Sequence, residues 1–277
     1  MKLLILGHTY PEPTTTAAGR RMMQLMQMFD EEGYRITFAT TASKSEYSAD
    51  LEALGIEIAA IELNAPSFDV FISEFNPAVV LFDRYVSEEQ FGWRIAEQCP
   101  NALRILDTED LHFLRKARQE AFKHEAEAGE VTLLTETAKR ELASIFRSDL
   151  SLIISEVEME LLYTQFKLPQ ELLFYLPFLE AAISEEEKKA LPKFEERHHF
   201  MTIGNFQHAP NLDAVLYLKK ELWPGIIKQL PKAELHIYGA YAAQQVLELH
   251  NTQEGFLIKG WAKDVDEVMQ QAKICLA

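Results

Sequence analysis

Residues 2–8 read Lys2-Leu3-Leu4-Ile5-Leu6-Gly7-His8. Four consecutive apolar residues without alternation describe a strand covered on both faces, the pattern of a central strand in a parallel sheet. Gly7 and His8 then mark its carboxyl end. Similar runs recur at 36–41, 56–63, 103–106 and 173–176, at Val79-Val80-Leu81-Phe82, and at Leu152-Ile153-Ile154. Helical segments lie between them. Met22, Met23, Leu25, Met26 and Phe29 form one apolar stripe, read as core packing, and Gly33 ends that helix. Further helices are expected at 51–54 (stopped by Gly55), 68–75 (before Pro77), 88–98 and 156–165, and over a charged stretch, 114–147, broken near Gly129. Such alternation predicts right-handed βαβ units and a doubly wound α/β sheet.

Residues 180–197 are charged and lack apolar periodicity, which marks a linker whose first half reads as a solvated helix. A second unit then begins. Its strands are expected at 199–203, closed by Gly204-Asn205, at 235–238, closed by Gly239, and at 256–258, closed by Gly260. Its helices are expected at 212–222, with Pro224 near the end, at 243–249 and at 265–272. The final run, Ile274-Cys275-Leu276-Ala277, reads as a buried strand and implies a chain that continues past Ala277. The expected organisation is a first domain over 1–180, a linker over 181–197, and an incomplete second domain over 198–277.

The chain has 277 residues, 48% of them hydrophobic, and a formal charge of −16. Length and apolar content predict about two domains with proper cores. The surplus of carboxylates argues against non-specific nucleic-acid binding, which needs Lys and Arg against phosphate. Cys99 and Cys275 lie far apart, as in a reduced cytosolic protein. Neither a signal peptide nor an apolar run of bilayer length is visible. A cytoplasmic location is expected, with peripheral contact at the inner membrane face left open.

A dinucleotide fingerprint would place three glycines straight after the first strand, but Gly7 is next followed by Gly19. Gly19-Arg20-Arg21 opens a helix, which suits either a phosphate or sugar site or a plain turn with surface charge. Doubly wound sheets bring strand tips together. Here these tips carry His8, Asp83-Arg84, the acidic turn Asp107-Thr108-Glu109-Asp110, and Ser155-Glu156. Carboxylates there orient hydroxyl groups or act as bases. The competing reading is helix capping, with Asp107 and Thr108 as N-cap types and Ser155 with Glu158 as a capping box. Ser155 is assigned to the cap, and Glu109 with Asp110 to function, with His112 and Arg115 in reach. No metal-binding spacing is present, and His198-His199 sits at a strand start. Arg115, Lys116, Arg118, Lys123 and His124 form a basic face, read as solvated in preference to lipid-binding.

Several segments taken in order resemble GT-B glycosyltransferases: PEPTTTAAGRR (11–21), RSDLSLIISEVE (147–158), FMTIGNFQHAPNLDAV (200–215), AELHIYG (233–239) and LIKGWAKDVDEVMQQAKICLA (257–277). They are most similar to the retaining, metal-independent group 1 branch. The resemblance implies two Rossmann-like domains and a closing cleft between them that excludes water. It implies transfer of a hexosyl-type sugar from a nucleotide-diphosphate sugar to an unidentified acceptor hydroxyl, in cell-surface polysaccharide or glycoconjugate synthesis, with no metal or other cofactor. It assigns catalysis to Glu109 and Asp110, and substrate contacts to His8, Gly19, Arg20, Asp83, Arg84 and His112. Donor contacts fall on Gly204, Asn205, His208, Asn211, Gly239 and Gly260. The acceptor is open, membrane-associated molecules included. Glu109 stands where many relatives carry histidine, and Asn205 and Pro210-Asn211 stand where many carry Arg and Lys. The relatives' pair of donor-binding glutamates would fall beyond Ala277. Two alternatives remain: a nucleotide-sugar epimerase using His8, Asp83, Glu109, Asp110 and His112, or a non-catalytic binding protein of the same fold.

Overall fold

A computed structural model describes residues 1–123 and 132–277; Gly129, read as a helix break, and His124, read as part of the basic face, lie outside them. The apolar runs form β1 (Lys2–Gly7), β2 (Arg35–Thr40), β3 (Glu57–Ala60), β4 (Val79–Asp83), β5 (Leu103–Asp107), β6 (Leu150–Ile153) and β7 (Leu173–Tyr175). They build one parallel sheet in the order β3-β2-β1-β4-β5-β6-β7. The helices are α1 (Ala17–Glu31), α2 (Pro66–Phe75), α3 (Arg84–Gln98), α4 (His112–Lys123), α5 (Glu136–Arg147) and α6 (Glu156–Thr164). The segment expected as a helix at 51–54 is a single 3-10 turn, ended by Gly55 at φ +77°.

Both faces of this sheet are buried, as the unalternating strands require. On one face Leu3, Ile5, Leu81 and Ile105 pack with Met22, Leu25 and Met26 of α1. On the other, Leu4, Leu6, Phe82 and Leu106 pack with Phe68, Phe91, Phe113 and Ile145. The methionine stripe is core.

Two buried charges fix the helices over the carboxyl edge of the sheet. Arg21 on α1 donates from Nε and Nη2 to Asp107 at 2.9–3.1 Å. It also donates from Nη1 to the Leu176 and Pro177 carbonyls at 2.8 and 3.2 Å. Arg21 is therefore not free for a ligand, and Asp107 does not cap a helix. Thr108 does not either, because its hydroxyl donates to the Leu152 carbonyl at 2.9 Å. The start of α4 is secured instead by Glu141 of α5, which accepts from the His112 and Phe113 N–H groups at 3.1 and 2.9 Å. Ser155 caps α6 by accepting from Glu158 N–H. The Glu158 carboxylate turns to Leu111 N–H at 3.1 Å, so only half of the expected box forms.

The charged stretch holds α7 (Glu185–Ala190), opened by a Ser184–Glu187 capping box. Beyond it come β8 (His199–Ile203), α8 (Ala209–Tyr217), α9 (Trp223–Gln229), β9 (Leu235–Tyr238), α10 (Gln244–Leu247), β10 (Phe256–Gly260), α11 (Val265–Gln271) and β11 (Ala272–Cys275). The strands form a second parallel sheet, β10-β9-β8-β11. The helix expected to stop near Pro224 continues: a π-turn at Leu218–Leu222 widens the backbone and Pro224 enters the first turn of α9. Phe256, Trp223, Leu235 and Ile237 centre this core. The run expected as a buried strand is a sheet edge, paired on one side only with β8, and Ile274 is 43% exposed.

By packing, Met1–Pro11 with Arg21–Leu179 form one unit, and Glu12–Arg20 with Glu180–Ala277 the other. Among the described residues no helix is long and apolar enough to cross a membrane.

Removing one partner of a buried ion pair strands the other charge. Arg21→Met is therefore expected to destabilise the first unit by about 3–5 kcal/mol in urea unfolding. A loss below about 1 kcal/mol, the value of an exposed pair, would mean that the pair is not an anchor.

Candidate functional site

Strand order in the first sheet reverses between β1 and β4, so the connections from their carboxyl ends leave in opposite directions, the place where open α/β sheets bind ligands. His8 follows β1, and Asp83 ends β4. The His8 N–H donates to Asp83 Oδ2 across this switch point at 2.9 Å. Asp83 and Asp107 are register partners on neighbouring strands, which brings the acidic turn alongside.

Two residues here adopt left-handed backbone, Arg84 at φ +67° and Glu109 at φ +63°. Each departure from the preferred regions costs on the order of 1 kcal/mol for a non-glycine residue and concentrates at functional positions. Arg84 Nε lies 3.6 Å from Asp83 Oδ1. The carboxylate of Asp83, with burial opposing, raises the Arg84 pKa. Asp110 is held by Arg115 at 2.6 Å, and His112 Nδ1 lies 3.3 Å from Asp110 Oδ1 and 3.5 Å from Glu141 Oε1. Burial pushes the Asp110 pKa upward, but Arg115, His112 and Arg84 outweigh it and hold Asp110 below its usual range.

Glu109 is only 8% exposed, and its Oε1 has no hydrogen-bond partner. Burial, then the neighbouring Asp107 and Asp83 charges, push its pKa up to about 8. Burial likewise lifts Asp107 to about 6 against the pull of Arg21, which leaves Asp107 ionised at neutral pH. Asp107 thus keeps its charge while Glu109 holds a proton, and the neutral acid can donate a hydrogen bond. His8 is kept neutral by burial first and then by Arg84.

The structure therefore brings His8, Asp83, Arg84, Glu109, Asp110 and His112 into one cluster at the sheet's carboxyl edge. Gly19 and Arg20 pack with the other unit. A Cβ on Gly19 would lie 2.4 Å from the Glu12 backbone nitrogen, so this glycine permits a close backbone approach inside α1. Arg20 pairs with Glu180 at 2.5 Å. Sequence reasoning missed Glu141, which is fully buried beside His112. Its spacing from Ala138 and Ile145, on the buried stripe of α5, was the signal that could have found it.

In the second unit the expected donor residues collect at the carboxyl ends of β8, β9 and β10. Gly204 N–H donates to the Tyr238 carbonyl, and Gly239 N–H to that of Gly260, at 3.2 and 2.9 Å. A Cβ on Gly239 would lie 2.1 Å from the Gly204 oxygen, so no other residue fits there. Gly260 holds φ +76°. The Asn211 side-chain amide donates to the Asn205 carbonyl at 2.9 Å and ties the β8–α8 loop. His208 is the N-cap of α8, whose first turn receives no side-chain cap. Among the described residues no group of three or more His, Cys, Asp or Glu could hold a metal ion.

The raised Glu109 pKa has a sign that can be checked. An acid at 4.5 in the unfolded chain and about 8 in the folded one contributes stability that is full below pH 4.5 and lost as pH rises through 8. Glu109→Gln should remove that loss, so the variant is expected to be the more stable protein at pH 8 and above. Parallel stability–pH curves for the two proteins would return Glu109 to an ordinary ionised state.

Comparison with known proteins agrees with this architecture. Residues 197–277 match the family model described as "Glycosyl transferases group 1". No curated protein matches the chain by sequence. WaaG, a glycosyltransferase involved in lipopolysaccharide biosynthesis, has a similar structure, with TM-score 0.60, 11% identity, and 99% of this chain and 74% of that one covered. Sucrose-phosphate synthase from Thermosynechococcus elongatus gives 0.58 at 12% identity, covering 99% and 74%. The apo lipopolysaccharide outer core galactosyltransferase WaaB gives 0.55 at 12%, covering 98% and 71%. Likeness at these identities establishes the fold: two Rossmann-type units of the GT-B kind, the second matching the group 1 glycosyltransferase model.

Proposed function

We propose that this chain is a glycosyltransferase that moves a hexosyl-type sugar from a nucleotide-diphosphate sugar to an acceptor hydroxyl. The match of residues 197–277 to the group 1 model carries this reading. The geometry of each unit supports it separately. The second unit offers glycine-tight loops and an uncapped helix start at α8, where backbone N–H groups and the helix dipole suit a diphosphate. Departure of the nucleotide diphosphate needs that developing charge stabilised, and fixed dipoles do this at little reorganisation cost. In this reading Gly204, Asn205, His208, Asn211, Gly239 and Gly260 hold the donor, without a metal.

The first unit supplies the acceptor side. Asp83 and Asp110 are acceptors for hydroxyl groups, Arg84 and neutral Glu109 are donors, and His8 and His112 complete the cluster. Glu109 orients a reacting oxygen as a hydrogen-bond donor, and Asp110, kept ionised by Arg115, accepts from a hydroxyl. The reaction we favour retains the anomeric configuration, with the acceptor oxygen attacking on the face the leaving group vacates. The lipopolysaccharide roles of WaaG and WaaB make a cell-surface glycoconjugate the first acceptor class to test.

Calorimetry with a panel of UDP-, GDP- and ADP-sugars should give saturable binding for one nucleotide series. Heat of dilution alone across the whole panel would sink the transferase reading. With the donor found, turnover is expected to fall as pH rises through about 8, where Glu109 loses its proton. Glu109→Gln keeps a donor in place and should show no such fall; an identical alkaline limb in both proteins would remove Glu109 from the chemistry.

A further inference from the structure

The geometry points to a dedicated oxyanion site at the β1/β4 switch point, formed by the Arg84 guanidinium, the open start of α3, His8 and His112. It rests on the transferase reading only in assigning the ligand: a phosphoryl or carboxyl group on the acceptor. Four observations within the first unit converge on it.

Arg84 is a mostly buried cation with hydrogen-bonding capacity to spare. Arg21, Arg115 and Arg147 each direct their guanidinium at a carboxylate through both Nε and Nη2. Arg84 instead meets Asp83 through Nε alone at 3.6 Å, beyond hydrogen-bond length, although its side chain is only 18% exposed. Its two terminal nitrogens have no acceptor among the described residues. A half-buried planar fork of this kind matches the oxygens of a phosphate or carboxylate.

The backbone holds it there at a cost. Arg84 is in the left-handed region, a conformation that glycine would adopt freely, and it opens a helix of 15 residues. Asp83, the N-cap of α3, makes no side-chain cap bond, and the first turn carries no acidic residue. The uncapped N–H groups and the positive end of the helix dipole therefore lie at the turn that carries Arg84. An uncapped helix start alone would say little; here it coincides with a mostly buried arginine that meets Asp83 only through Nε, at a topological switch point.

Two imidazoles flank the position. His112 packs edge-on to Tyr85, the next residue of α3, with ring centroids 5.5 Å apart. The His8 pKa is lowered by burial first and then by Arg84, with Asp83 opposing and His112 adding a smaller depression. The carboxyls nearby do not oppose an anion fully: Asp110 is paired with Arg115, Asp83 accepts from His8 N–H, and Glu109 can donate as the neutral acid.

The test uses the full chain and histidine ring resonances in solution, titrated with inorganic phosphate, with acetate, and with chloride for ionic strength. Saturable shifts at His8 and His112 are expected with phosphate or acetate, with the His199 and His236 rings unmoved. The tighter of the two names the ligand's oxyanion. Arg84→Gly suits the backbone at φ +67°, so it removes the guanidinium without unfolding the turn. It should weaken binding roughly tenfold to hundredfold. Arg84→Asn, also tolerant of left-handed backbone, should behave alike. Shifts that never saturate and follow chloride overturn the proposal, as does equal affinity in both variants. Phosphate binding without any nucleotide-sugar binding would keep this site and reject the transferase reading; the reverse would keep the transferase and reject the site.

Discussion

The buried pair between Arg21 and Asp107 sets the terms for everything around it. Taking two charges out of water costs several kcal/mol each, and only good geometry recovers it. Here the guanidinium spends its Nε and Nη2 on the carboxylate and Nη1 on the Leu176 and Pro177 carbonyls. One side chain thereby joins the first helix, the tip of the fifth strand and the segment after the seventh. With Arg21 used in this way, the remaining carboxyls must share fewer cations. Asp83 takes a backbone N–H and the edge of Arg84, Asp110 takes Arg115, and Glu109 is left to relieve its desolvation by holding a proton. A neutral acid and an underused arginine at one strand edge follow from how the first pair is satisfied.

The same reasoning separates the two units. In the first, polar side chains at strand tips do the work, and the backbone is strained at Arg84 and Glu109 to aim them. In the second, the loops after the strands are nearly free of charge and depend on close backbone approach. Gly204 N–H donates to the Tyr238 carbonyl and Gly239 N–H to the Gly260 carbonyl, with no room for a Cβ at Gly239. A surface built from backbone N–H groups suits a diphosphate, and one built from carboxyls, guanidinium and imidazoles suits hydroxyls and a single oxyanion.

Much of the fold was legible because parallel sheets write themselves as unbroken apolar runs. Each such run became a strand, and the methionine stripe became the buried face of α1. The errors have local causes. Asp107 and Thr108 look like caps because their residue types cap helices, but burial gave them other partners. The segment 51–54 is too short to sustain more than one turn. Pro224 looks like a stop, but it sits in the first turn of α9, where a missing N–H is tolerated. Among the described residues β11 pairs on one side, with β8. Composition cannot report a strand's position in the sheet order.

The sequence by itself determined the element order, the parallel sheets and the fact that polar residues gather at strand ends, because periodicity and turn chemistry are local properties. Only the tertiary structure decided which of those residues meet. Arg20 and Arg21 are neighbours in sequence, yet one pairs with Glu180 and the other is sealed against Asp107. Glu141 lies 29 residues beyond His112 and still secures the start of its helix. Whether a carboxyl keeps its charge depends on which others share its low-dielectric surroundings, and that is fixed by strand order and register.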